Sequence, residues 1–300
     1  MLKRLWILTT LITAAFTLGA CGNQNNTDPD PYGSTPEVRT YGFENLAEEY
    51  DVADAEIDLY FYEQGVPYVD IGAFIDLLDG AIMREKMTTG LETGTYSVDY
   101  TLEAGEGEED IYEDTHLELT LDTETGVLTV NRFAFFSGMS EATKTDFGAN
   151  LEVASYSESP GDPVTIDLER YGISAVEADG SVRLPFHTAN LFFSGGMYDA
   201  YYNGETVYGF DTYQLMDDMT IAQTLNDTEK NTKTMSSNLQ SLTIGHLAMS
   251  FDHFYGLKNV RDVDSYRDEL NPYEPGLRGT DRRHYRAISD FLYARDDIHT

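Results

Sequence analysis

The sequence predicts an α+β fold: an antiparallel, β-rich accessory domain with two short helices, followed by a small helical segment. Three observations lead there. Between Thr95 and Ser157, short runs of strand composition succeed one another: Tyr96 to Leu102, His116 to Leu121, Val127 to Phe136 and Leu151 to Ser157. The dipeptides Asp179-Gly180 and Asn203-Gly204 sit between apolar runs, the signal of two-residue hairpin turns whose backbone must adopt positive φ. From about Ser236 to Tyr255, the apolar residues Ile244, Leu247, Ala248, Phe251, Phe254 and Tyr255 recur at helical spacing.

Taken in order, Glu56 to Tyr62 alternates and is rich in aromatics, which predicts a strand. Gln64-Gly65 makes a turn, Val66 to Val69 a short return strand, and Ile71 to Leu78 a helix that Gly80 stops. Residues 84–94, with Gly90 and Gly94, read as loop. Asp122 to Gly126 is a hairpin turn inside the β-rich stretch, and His116 is expected on an edge of that sheet as a solvated residue. Thr165 to Ile173 is a strand leading into a turn, and a hairpin closes around Asp179-Gly180. Pro185 to Phe193 starts as a helix with Pro in its first turn and ends at Gly195-Gly196. A second hairpin, Tyr198 to Phe210, turns at Asn203-Gly204. The steps Val66-Pro67-Tyr68 and Leu184-Pro185-Phe186 echo each other, since each feeds a strand directly into a helix. Residues 216–235 are polar and read as a linker. The helix after them is capped by Gly256, a shorter one follows from Asp264 to Leu270, and Asn271 to Gly276 breaks the chain. Tyr285, Ile288 and Leu292 mark a last helix, from about Asp281 to Arg295.

The amino terminus carries an address. Lys3 and Arg4 precede an apolar run from Leu5 to Leu18 that is too short to cross a bilayer comfortably, which makes it a secretory signal. Leu18-Gly19-Ala20-Cys21 resembles a bacterial lipobox, and the resemblance implies cleavage before Cys21 and its lipidation. The expected location is extracytoplasmic, at the cell membrane, with acyl chains on Cys21 as the anchor. Cys21 is the only cysteine, which excludes an internal disulfide, thiol catalysis and a cysteine-based metal site in the folded part. Residues 1–20 are therefore read as signal peptide and 21–44 as a flexible tether, because the Asn-, Asp- and Pro-rich stretch from Gly22 to Pro36 cannot bury a core.

Acidic residues number 53 against 19 basic ones, a net charge of −34. Such a surface excludes nucleic acid as a partner and repels anionic lipid. Residues 258–295 are nearly charge-balanced, unlike the acidic chain before them. This shift supports a division into an accessory domain over 45–215, the linker over 216–235 and a helical lead-in over 236–300.

The end of that lead-in carries a family resemblance. An amphipathic helix followed by Asp296-Asp297-Ile298-His299-Thr300 resembles the opening of the catalytic domain in tail-specific and tricorn-core serine peptidases. The run Ile166 to Gly172, then Arg183 to Phe186, then Tyr202-Asn203-Gly204 is similar to the N-terminal region of lipoproteins that carry that domain. The resemblance implies a truncated peptidase domain with His299 as its general base, and a peptide or protein as substrate.

The remaining chemistry is sparse. No Gly-x-Ser-x-Gly elbow occurs, and Ser194-Gly195-Gly196 reads as a helix stop, so these residues supply no recognisable nucleophile. His246 and His253 lie seven residues apart on one helix, about 10 Å at its rise, too far to share a metal ion. The acidic loop 103–114 lacks the ordered ligand spacing of a calcium loop. No cofactor and no metal are expected. Two functions fit: the N-terminal, non-catalytic part of such a peptidase, or a non-enzymatic surface lipoprotein that binds a peptide, glycan or protein.

Overall fold

A computed structural model describes residues 35–62, 65–102, 114–141, 143–144, 161–217, 219–228, 236–256 and 264–269. Cys21, the strand expected over Leu151 to Ser157, the last helix and His299 lie outside the described residues.

The fold is α+β, built on two sheets. Strands β1 (Glu37–Asn45), β2 (Ala55–Phe61) and β3 (Pro67–Asp70) begin the larger one. β3 runs straight into helix α1 (Ile71–Leu77), whose N-cap is Asp70; its carboxylate accepts the Ala73 N–H at 2.8 Å. The smaller sheet is a five-stranded antiparallel meander: β4 (Met87–Glu92), β5 (Thr95–Leu102), β6 (Thr115–Asp122), β7 (Val127–Val130) and β8 (Val164–Asp167). A short helix, α2 (Phe135–Gly138), stands between β7 and β8.

The chain then returns to the first sheet. Hairpin β9 (Val176–Ala178) and β10 (Ser181–Pro185) turns at Asp179 and Gly180, with φ of 56° and 78°. β10 enters helix α3 (Phe186–Phe193) directly. Hairpin β11 (Tyr198–Tyr202) and β12 (Val207–Asp211) turns at Asn203-Gly204, where Asn203 Oδ1 accepts the N–H groups of Glu205 and Thr206. The seven-stranded order is β11-β12-β1-β2-β3-β10-β9, and β1 with β12 is its one parallel pair.

The sequence echo has a spatial meaning. β3 and β10 are antiparallel neighbours, with Val69 opposite Leu184 and Tyr68 opposite Pro185. Their helices α1 and α3 lie side by side, and Phe74 meets Phe186 edge to face at 5.5 Å. Two strand-to-helix units thus close the middle of the core against each other. Both helices bury aromatic and branched side chains there: Ile71, Phe74 and Ile75 from α1, Phe186, Phe192 and Phe193 from α3.

Four expectations need correction. Residues 37–44, assigned to the tether, belong to β1, near the middle of the larger sheet. The stretch read as loop over 84–94 contains β4, in which Met87 is buried and Thr88 is exposed. The polar linker is partly helical: α4 (Thr212–Asp217) and α5 (Met219–Asn226) follow β12. His116 lies on β6, the central strand of the meander, and not on an edge.

Helix α6 (Ser237–His253) begins at Ser236, whose hydroxyl accepts the Leu239 N–H at 3.2 Å. It does not stand apart from the β-rich part. Leu242, Ile244, Ala248 and Met249 join the same core, and Phe254 at its C-cap packs on Phe136 at 4.8 Å. Gly245 lets the helix approach the 3-10 turn at 169–171 so closely that a Cβ there would collide with the Tyr171 carbonyl oxygen. A last short helix, α7 (Tyr266–Glu269), is tied to α6. No helix among the described residues is long and apolar enough to cross a membrane.

Candidate functional site

An open groove of about 1190 Å³ lies at one end of the seven-stranded sheet. Its position follows from Asn45, the last residue of β1. The Asn45 side-chain NH₂ donates to the carbonyls of Ala47, Tyr50 and Val52, and its Oδ1 accepts the Ala47 N–H and the Tyr198 hydroxyl, both at 3.0 Å. One amide thereby curls residues 46–52 into a tight wall beside the strand ends. Leu46 N–H donates to Gly209 O at 2.7 Å and pins the wall to β12. Lys144 straps it from outside, with its N–H on Glu49 O and its Nζ on Tyr50 O at 3.3 Å.

The opposite wall comes from the end of the expected accessory domain and the start of the expected linker. Asp211, the last residue of β12, caps α4 by accepting the N–H groups of Tyr213 at 2.6 Å and Gln214 at 3.1 Å. Tyr213 and Gln214 from α4, with Thr220, Ile221 and Thr224 from α5, face the 46–50 wall across the groove. Tyr50 packs edge to face on Tyr198 at 5.2 Å. Burial pushes its phenol above the ordinary tyrosine range, and the Asp211 carboxylate pushes it further.

The lining is chemically one-sided. Glu48, Glu49 and Asp211 supply carboxylates, Leu46, Met197, Tyr213 and Ile221 supply apolar surface, and among the described residues no Lys or Arg lines the groove. Such a surface favours an extended segment with apolar side chains and positive charge. Met197 and Tyr213 are among the few exposed large apolar residues in the described part of the chain.

A second polar cluster holds α6 and α7 to the turn after β8. Asp252 accepts the Tyr171 hydroxyl at 3.0 Å, the Ser265 hydroxyl at 3.1 Å and the Tyr266 N–H at 2.7 Å. His253 Nε2 meets the same Tyr171 hydroxyl at 3.1 Å, and Arg170 donates to Ser265 Oγ at 3.0 Å. Ser, His and Asp are together here, yet in the wrong order for nucleophilic catalysis. The serine proton goes to the carboxylate, whereas a triad passes it to an imidazole that the carboxylate orients. The cluster reads as a clamp between elements.

His246 and His253, seven residues apart on α6, meet different neighbours. His246 meets His187 of α3, and His253 meets Tyr171. Ser194 caps α3 and is buried, and Gly195 and Gly196 follow at φ of 74° and 79°, so the helix-stop reading describes them correctly. The sequence reading missed the groove altogether. Its wall residues Glu48, Glu49 and Tyr50 stand a few residues past the tether expected over 21–44, and α4 and α5 straddle the boundary expected between the accessory domain and the linker. The spacing of Ile221 and Leu225 was the available signal for a helix there.

No family model, curated protein or solved structure matches the chain.

Proposed function

We propose that the chain is a membrane-anchored extracytoplasmic lipoprotein whose α+β part binds an extended peptide or protein segment. The groove between residues 46–50 and α4–α5 carries this reading, because its acidic and apolar lining matches one chemical class of occupant. Fluorescence anisotropy with a short Lys- and Leu-rich peptide tests it, against a Glu- and Leu-rich peptide of equal length. The basic peptide should bind, and Glu48→Lys or Ile221→Asp should weaken it about tenfold. Equal binding of both peptides, no binding, or indifference to both substitutions would refute it.

A second reading rests on Asp296 to Thr300 and the looser resemblances upstream. In it the module is the N-terminal part of a tail-specific or tricorn-core-type serine peptidase, and His299 is a general base. The groove would then hold the polypeptide on which such a domain acts. Both readings share the groove, and hydrolysis assays separate them.

A further inference from the structure

The smaller sheet carries an imidazole and two carboxylates that no part of the groove uses. Asp99 on β5 and Glu118 on β6 are directly opposite partners in the strand register, and His116 precedes Glu118 by two residues. The side-chain period of a strand puts all three on one face. The other face of the same strands buries Val98, Tyr100, Leu117 and Leu119, so this trio looks outward. The donor atoms of Asp99, His116 and Glu118 all lie within 4.8 Å of one another, and His116 Nε2 is 3.4 Å from Asp99 Oδ1.

Two features go beyond proximity. Like charges directly opposite on neighbouring strands destabilise a sheet, so Asp99 against Glu118 is a cost that a cation between them would remove. The backbone under the two β6 donors is also fixed by a side chain. Asn131, just past the end of β7, donates through Nδ2 to His116 O and accepts the Glu118 N–H through Oδ1, each at 3.0 Å. Its own N–H donates to Glu118 O at 3.0 Å. Three hydrogen bonds from one residue hold His116 and Glu118 at constant spacing.

We propose that Asp99, His116 and Glu118 form a surface site for a divalent transition-metal ion of the zinc type. Tetrahedral ligands at about 2.1 Å from zinc are about 3.4 Å apart, so small rotations of the exposed carboxylates complete the set. The imidazole selects zinc, nickel or copper over calcium and magnesium, which take oxygen donors. Three protein ligands leave one position for water or for a donor from a partner. Lys86 and Glu85 line the depression of about 370 Å³ that Asp99 and His116 also border, so the Lys86 ammonium competes for the carboxylates and moderates the affinity.

Isothermal titration of the full chain with zinc chloride at pH 7.5 tests the site. One zinc ion per chain should bind, and His116→Ala and Asp99→Asn should each weaken it about tenfold or more. Thr120→Val, two residues further along the same face of β6, should leave binding unchanged, and excess calcium chloride should not displace the zinc. His116 is exposed and Asp99 only half-buried, so both variants are tolerable to the fold. Absence of a zinc heat, equal binding by His116→Ala, or displacement by calcium would overturn the proposal, the last two because they mark diffuse attraction to an acidic surface.

Discussion

The imidazoles of His187 and His246 meet edge to face where α6 crosses α3, with ring centroids 4.4 Å apart. His187 keeps part of its surface open, but its Nε2 is shielded from solvent and has no hydrogen-bond partner. His246 Nδ1 lies 3.5 Å from Thr188 Oγ1. Burial pushes His187 down to about 3, with His246 beside it lowering it further, and burial alone pushes His246 down to about 4. Both rings are neutral in the folded protein and titrate near 6.5 when unfolded.

The sign of the pH dependence follows. Below about 6.5 the unfolded state binds protons that the folded state refuses, so stability is full above that pH and falls between about 6.5 and 4. At pH 5 the loss should be on the order of 1–2 kcal/mol per imidazole. Melting temperatures recorded from pH 7.5 to 4.5 should drop steeply for the native chain and less for His187→Leu/His246→Leu. Parallel curves for the two proteins would remove the pair from the acid response.

Gly245 should be irreplaceable on α6. Alanine ordinarily gains about 1 kcal/mol over glycine inside a helix. Here its Cβ would enter the space of the Tyr171 carbonyl oxygen, and a backbone atom cannot rotate away. Gly245→Ala should therefore destabilise by about 1–3 kcal/mol net, whereas Ser241→Ala on the exposed side of the same helix should be neutral or slightly stabilising. Urea midpoints of the two variants decide it.

Asn45→Ala tests how the groove wall is built. The substitution removes the partner of the Tyr198 hydroxyl and the hub that collects three carbonyls. A loss of about 2–3 kcal/mol is expected, since buried polar groups are left unsatisfied. Amide hydrogen exchange should accelerate over residues 46–52 before the rest of the sheet. Protection of that segment equal to the native level would show that Lys144 and the Leu46 contact suffice.

What could be read from the residues was local. Asp179-Gly180 announces a two-residue hairpin because both residues take positive φ, whereas Asn203-Gly204 opens a four-residue turn, 203–206, in which Gly204 takes it and Asn203 does not. Ile71 to Leu78 and the helix after Ser236 were legible from apolar spacing and caps. β1 was not, because Glu37–Asn45 buries little apart from Phe43 and its parallel partner lies beyond Val207. The same reason hid both sites. The groove needs residues 46–50, Asp211 and Ile221 together, the His187–His246 contact crosses two helices, and the partner of His116 is set by a strand register that composition does not reveal.

Cys21→Ala should move the protein from the membrane fraction to the soluble one, or leave it unprocessed. The expectation rests on Leu18-Gly19-Ala20-Cys21 and on a charge of −34, which gives no basic patch to hold an anionic membrane. Mass spectrometry of the mature protein should find acyl chains on Cys21. An unmodified thiol in a membrane-bound protein would contradict it.

The 300-residue chain should hydrolyse neither casein nor short peptides. Acyl transfer needs a hydroxyl that hands its proton to a base, and a third group that orients the base. Among the described residues, two partial approaches to that arrangement fail for different reasons. Thr188 Oγ1 reaches His246, but Thr188 is fully buried where no substrate carbonyl can enter. Ser265 is itself buried, and its Oγ donates to Asp252 while Arg170 donates to it. Ser265→Ala should accordingly change the melting temperature and leave the baseline hydrolysis rate untouched. In any longer form that supplies a Gly- and Ser-rich nucleophile segment, His299→Ala should cut turnover by about 10²–10⁴ with an unchanged circular dichroism spectrum. Inhibitor-sensitive hydrolysis by the 300-residue chain would place a nucleophile within it, and an unaffected rate in the longer His299→Ala form would take His299 out of the chemistry.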